Sequence, residues 1–201
     1  MQQTVFVVDD DYAARDSLTF LMRTEGLTSR AFDSARSFLD QLHKEQRGCI
    51  VLDAQMPMMN GMALVESLNE AGCIMPMILT TGHADVPLAL QAMKAGVVDF
   101  IEKPFDSETI LRAVGQALAT EQTRHAAASR LAAVERRRET LTQRESQVLG
   151  FIVDGFSNKE IANKLEISFR TVEIYRANVM AKMEAESLSA LVRMTLYKAA
   201  A

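Results

Sequence analysis

The 201-residue sequence predicts two small folded parts of different class, joined by a helical linker. The first, over residues 1–119, is a doubly wound α/β domain on a five-stranded parallel sheet. The second, over residues 141–201, is an all-α helix-turn-helix domain. Three observations carry this. Short apolar runs alternate with stretches of helical period through the first part, the pattern of a parallel sheet covered on both faces. Residues 120–140, TEQTRHAAASRLAAVERRRET, are Ala-rich and charged and contain neither Gly nor Pro, as a helical spacer would be. The last part shows two serine/threonine caps, each followed three residues later by Glu, and a short turn between helical patterns.

Taken in order, the predicted strands are 4–8 (TVFVV), a weaker one at 28–32, then 48–52, 75–80 and 97–101. Helices are predicted at 12–25, 34–45, 60–71, 86–95 and 107–119, the first capped by Asp11. In the linker, Ala127, Leu131 and Val134 form a thin apolar stripe that could pair with a second copy; a solvated spacer is the simpler reading. Beyond it, TQRE at 142–145 and SNKE at 157–160 fit the capping box, and Gly155 marks the end of the first helix. Ser168 caps a third helix reaching about residue 182. A fourth is predicted over 187–198.

Composition sets bounds. Hydrophobic content of 48% with 24% charged residues is that of a folded globular chain rather than a disordered one. No apolar run approaches the roughly 20 residues of a membrane helix, and no secretory signal is evident, so no membrane partner and a cytoplasmic location are expected. Cys49 and Cys73 have no metal-binding or CxxC spacing and read as reduced thiols. Charge is uneven: residues 1–119 hold 16 acids and 9 bases (−7), and residues 120–201 hold 10 acids and 13 bases (+3). An acidic module followed by one able to approach a polyanion is a weak pointer to nucleic acid.

The chemistry gathers at strand ends. The first strand runs into Asp9, Asp10 and Asp11, and the third into Asp53. If these strands are neighbours, three carboxylates share one cleft, which is unfavourable unless a hard divalent cation joins them. The fourth strand ends in Thr80-Thr81-Gly82, supplying a hydroxyl, and the fifth is followed by Lys103, supplying an ammonium. Cation, hydroxyl and ammonium around one carboxylate can neutralise a phosphoryl group carried on it.

VVDDD, VLDAQMP, LTTGHADVP and AMKAGVVDFIEKPF resemble the receiver domain of bacterial two-component response regulators, a flavodoxin-like fold. The resemblance implies phosphorylation of Asp53 by a sensor histidine kinase, with Mg²⁺ held by Asp53, Asp10 and the Gln55 backbone carbonyl and supported by Asp9 through water. It implies that Thr81 and Lys103 hold the phosphoryl oxygens, that Phe100 is the switch aromatic where Tyr is frequent, and that Lys103-Pro104 is cis. His83 and Gln55 could tune acyl-phosphate hydrolysis, although solvated loop positions are the simpler reading. Apart from self-phosphotransfer and self-dephosphorylation at Asp53, no enzymatic activity is expected. A metal-dependent phosphatase would leave residues 141–201 without a role, and a phosphorylation-independent regulator would not need the intact acid cluster.

LTQRESQVLGFIVDGFSNKEIANKLEISFRTVEIYRANVMAKM, residues 141–183, resembles the LuxR-type helix-turn-helix, and the whole is most similar to the FixJ branch of the NarL/FixJ family. Val172, Tyr175, Val179 and Met183 recur at helical spacing as a core face. Arg170, Glu173, Ile174 and Ala177 share another face, suited to the major groove of promoter DNA. Lys159, Arg170, Arg176 and Lys182 could neutralise phosphates, with Thr171 at the helix start. The last helix, with Leu188, Leu191 and Val192, resembles a dimerisation helix, which implies a homodimer when phosphorylated. RNA polymerase is a further partner if the protein activates transcription. Glu166 stands where Gly or Asn is usual before the turn, at a cost of about 1 kcal/mol if positive φ is required there.

Overall fold

The computed structural model describes residues 3–43, 45–83 and 86–196. The chain forms two compact units, Met1–His125 and Ala126–Ala201. In the first, strands β1 (Thr4–Val8), β2 (Thr28–Phe32), β3 (Gly48–Asp53), β4 (Met77–Thr81) and β5 (Asp99–Glu102) form one sheet in the order β2-β1-β3-β4-β5. Every pairing is parallel. Helices α1 (Tyr12–Thr24), α2 (Ala35–Leu39), α3 (Gly61–Glu70), α4 (Val86–Lys94) and α5 (Ser107–Glu139) alternate with the strands.

Strand alternation supplies a core on each face. Phe6, Val8, Ile50 and Leu52 join residues of α2, α3 and α4, while Val5, Val7, Cys49 and Val51 join residues of α1 and α5. Burial also pushes the Cys49 thiol up to about 12, which leaves it an inert core residue.

Two elements differ from expectation. Helix α2 is far shorter than 34–45. Past Leu39 the chain tightens through bonds from the Gln41 and Leu42 amides to the carbonyls of Phe38 and Leu39, and the Gln46 side chain bridges the Gln41 carbonyl and the His43 amide. The helix expected at 107–119 and the helical linker after it run together as α5, one 33-residue helix. Glu121, expected on a solvated spacer, is buried and accepts both Arg47 Nε (2.9 Å) and Arg47 Nη2 (3.1 Å), as well as Gln3 Nε2 (2.7 Å). Burial alone would raise its pKa, but the bonds from Arg47 and Gln3 outweigh that and lower it.

The second unit holds the end of α5 with α6 (Gln143–Val153), α7 (Asn158–Leu165), α8 (Phe169–Lys182) and α9 (Leu188–Leu196). Both capping boxes form, at Thr142/Glu145 and Ser157/Glu160, and Ser168 caps α8 by accepting from the Thr171 amide. Val148, Leu149, Ile152, Ile161, Val172, Val179, Met183 and Leu191 make the core, with Tyr175 packed against it. Glu166 closes α7 in the left-handed region (φ 54, ψ 43), the conformation its position called for. Residues 197 and 198 of the predicted last helix lie outside the described residues.

Candidate functional site

The register of the sheet builds the first site. Val8 pairs with Leu52, so Asp9 follows β1 directly beside the end of β3, where Asp53 pairs with Thr80. The strand order reverses between β1 and β3, which opens a crevice at their carboxyl ends. Asp9, Asp10 and Asp53 converge there, one oxygen from each lying within 4.8 Å of the others. Asp9 and Asp53 are buried and Asp10 is exposed.

The three acids are held differently. Each oxygen of Asp9 has a partner: Oδ1 accepts the Asp11 amide (2.9 Å), Oδ2 accepts Lys103 Nζ (2.7 Å), and its carbonyl accepts Arg15 Nη1 (2.6 Å). Asp11 turns away to cap α1, accepting the amides of Ala13 and Ala14. Lys103 Nζ also lies 3.2 Å from Asp53 Oδ1, within ion-pair range but off the geometry of a hydrogen bond. That leaves Oδ1 buried without a hydrogen-bond donor. An orphaned carboxylate oxygen in a cleft of hard oxygen donors fits a small divalent cation such as Mg²⁺. Burial raises the pKa of Asp53; Lys103 opposes the rise and the charge of Asp9 adds to it. For Lys103, burial acts downward, but the hydrogen bond to Asp9 and the charges of Asp9 and Asp53 prevail and raise its pKa.

Gly61 is what allows β3 and the start of α3 to meet. A Cβ there would stand 2.3 Å from the Asp53 carbonyl oxygen and 2.9 Å from Ala54 Cα. Thr81 is fully buried at the end of β4; its hydroxyl donates to the His83 carbonyl (3.1 Å) and accepts the His83 amide (3.2 Å). The Lys103 amide donates to the Thr81 carbonyl (2.7 Å), so β5 holds the lysine beside the acids, and the Lys103-Pro104 bond is cis. Phe100, opposite Leu79 on β5, is partly buried. Gln55 is exposed two residues beyond Asp53.

In the second unit, α8 turns Val172, Val179 and Met183 inward and leaves Arg170, Ile174 and Ala177 exposed, with Glu173 half-buried. Arg170 Nη1 and Glu173 Oε2 form an open ion pair at 3.3 Å. The Thr171 hydroxyl is bonded to that of Ser168 (2.7 Å), Lys159 is exposed on α7, and Arg176 is half-buried.

One sequence assignment needs correction, and another gains a second partner. Lys182, expected among the phosphate-neutralising residues, donates to Glu145 Oε2 (2.6 Å) and to the Thr140 carbonyl (3.2 Å) while its side chain stays 36% exposed. Leu191, expected on a dimer face, is completely buried in the module's own core; Leu188, 48% exposed, and the half-buried Val192 are the residues of that set that reach the surface. Sequence reading missed Arg15 behind Asp9, Glu121 and the Glu145–Lys182 pair. The capping-box motif flagged Glu145, but nothing local points to its second partner 37 residues away.

Comparison with known proteins agrees with this architecture. The sequence model of the response regulator receiver domain matches residues 5–115, and that of the bacterial regulatory proteins of the luxR family matches residues 139–195. The chain is 49% identical over 192 residues to the transcriptional regulatory protein FixJ of Azorhizobium caulinodans, covering 96% of this chain and 91% of the relative. It is 40% identical over 191 residues to the response regulator protein TodT of Pseudomonas putida, covering 95% and 84%. Among solved structures it resembles the response regulator StyR (TM-score 0.89, 39% identity, 97% of this chain and 98% of the other). It also resembles full-length FixJ from B. japonicum (TM-score 0.60, 40% identity, 100% and 99%).

Fold and site together define a phosphorylation-dependent transcriptional response regulator, with a receiver domain that implies a kinase partner and a helix-turn-helix domain that implies DNA binding. The chain belongs to the NarL/FixJ family of two-component response regulators, with relatives of the FixJ branch. No helix of the described residues is long and apolar enough to cross a membrane.

Proposed function

We propose that Asp53 is the phosphoacceptor and that Mg²⁺ is held by Asp53, Asp10 and the Gln55 carbonyl, with Asp9 in support through water. The observation that carries this reading is the buried, donor-less Oδ1 of Asp53 inside a cluster of three carboxylates. Both carboxylate oxygens of Asp9 already accept a donor, which suits a supporting role, whereas Asp53 Oδ1 accepts none. When bound, the cation supplies positive charge to the transferring phosphoryl oxygens.

The chain's own groups do the rest. An Asp53 carboxylate oxygen forms the bond to phosphorus as the bond from phosphorus to the histidine nitrogen of a sensor kinase breaks. Lys103, already 3.2 Å from Asp53, balances the added charge. The Thr81 hydroxyl gives up its bond to the His83 carbonyl and donates to a phosphoryl oxygen, and Phe100 moves with it. The two states thus differ in the contacts made with the phosphoryl group, which is what a switch requires.

The second module then binds promoter DNA as a homodimer, with Arg170, Glu173, Ile174 and Ala177 in the major groove and Lys159, Arg176 and Thr171 toward phosphates. Leu188 and Val192 would supply the dimer contact, and RNA polymerase would be engaged if the output is activation. The protein acts in the cytoplasm, with no catalysis beyond phosphoryl transfer to itself and loss of that group.

Incubation with acetyl phosphate and Mg²⁺ followed by intact-mass measurement tests the core of this reading. Wild type should gain one phosphoryl group, and Asp53→Asn none. Equal labelling of both proteins refutes it.

A further inference from the structure

Phe169 is the first residue of α8, directly after the Ser168 cap, and its side chain is 52% exposed. The inward face of the same helix, Val172, Val179 and Met183, is completely buried, so the ring is not needed to complete the core. A large aromatic more than half exposed at a helix start marks a contact surface when its neighbours share that surface. They do here. Glu173 follows it at i+4 on the same face, and Ile174, itself 51% exposed, follows Arg170 at the same spacing. Two apolar side chains therefore flank Arg170, whose side chain is 82% exposed and pairs with Glu173. Such a face suits a polyanion that also presents an apolar group. Duplex DNA offers one in the major groove: the thymine C5-methyl, the feature that sets thymine apart from uracil and unmethylated cytosine. The first residues of a recognition helix are those that reach base edges.

We infer that Phe169 is a specificity-determining residue that reads a thymine methyl group at a base pair distinct from that met by Ile174, an inference that rests on the second unit binding DNA. Its position at the extreme start of the helix, five residues before Ile174, separates the two contacts along the groove.

The test uses the full chain with acetyl phosphate and Mg²⁺, and a duplex that the wild type enriches from a randomised pool. Each thymine of the enriched site is replaced in turn by uracil, which removes one methyl and leaves base pairing unchanged. At one or more positions uracil should weaken wild-type binding roughly fourfold, the factor expected for one methyl-sized apolar group. At one of these, Phe169→Ala should bind thymine and uracil duplexes equally while Ile174→Ala keeps the preference. The salt dependence of Phe169→Ala should match wild type, because phosphate contacts are intact. The inference is overturned if Phe169→Ala keeps every thymine preference of wild type, or if uracil has no effect at any position. If wild type enriches no sequence, the DNA-binding reading itself fails.

Discussion

Removing the negative charge of Glu145 should loosen the carboxy-terminal module alone. This side chain is only 4% exposed, and its Oε2 accepts the Thr142 amide at 2.8 Å and Lys182 Nζ at 2.6 Å. It joins the start of α6 to the last turn of α8. The bond from Lys182, followed by that from the Thr142 backbone, lowers its pKa from 4.5 to about 2. Because the folded pKa lies below the unfolded one, the stabilisation is complete above about pH 4.5 and disappears as the pH falls toward 2. At 1.36 kcal/mol per pH unit the shift sets a ceiling of about 3 kcal/mol. Lys182 is 36% exposed, so water screens the pair and about 2 kcal/mol is expected.

Glu145→Gln keeps a side chain able to serve the cap while removing the ion pair. In hydrogen exchange read by mass spectrometry at neutral pH, amides of α6 and α8 should then exchange roughly 30-fold faster, and those of β1 and β3 at the wild-type rate. Lys182→Gln should have a similar effect, and the double variant little more than either single change. The difference from wild type should shrink between pH 4.5 and 2. An exchange change below about threefold, or an equal change in both units, would show that this pair is not what fastens α6 to α8.

Asp53→Asn should stabilise the receiver at neutral pH by on the order of 1 kcal/mol, since burial disfavours the charged form and the amide keeps the shape; a lower melting temperature than wild type would contradict this. Gly61→Ala should destabilise the receiver by about 1–3 kcal/mol and slow its labelling by acetyl phosphate, because the new Cβ falls on the Asp53 carbonyl. Calorimetry together with the rate of mass gain checks both effects. Glu166→Gly should raise the stability of the second unit by about 0.5–1 kcal/mol, since only glycine adopts φ near 54 without strain; thermal unfolding that is unchanged or lower would count against it.

What could be read from the sequence follows from the range over which each feature is determined. Strand ends, caps and the left-handed Glu166 depend on a few neighbouring residues. The site itself was legible because parallel β-α units put strand ends on one edge, so that one assumption, β1 beside β3, placed Asp9, Asp10 and Asp53 together. The errors lie where distant segments compete for a residue. Periodicity assigned Leu191 to a dimer face, yet it is buried in the module's own core, and Lys182, assigned to DNA by its charge, also pairs with Glu145 inside that module. A pattern of apolar or basic positions shows that a residue has a partner and leaves open whether that partner lies in the same chain.

The long α5 shows the same competition from the other side. Its lack of Gly and Pro permits a helix through residue 139, but Ala-rich, charged sequence alone makes only a marginal one. Burial of Glu121 against Arg47 and Gln3 secures the helix where it leaves the sheet. Val134 packs with the second module's core, and Arg137 is ion-paired with Glu184. Each anchor joins residues far apart in sequence, so local composition could show that this stretch is able to be a helix, while tertiary contacts decide that it is one.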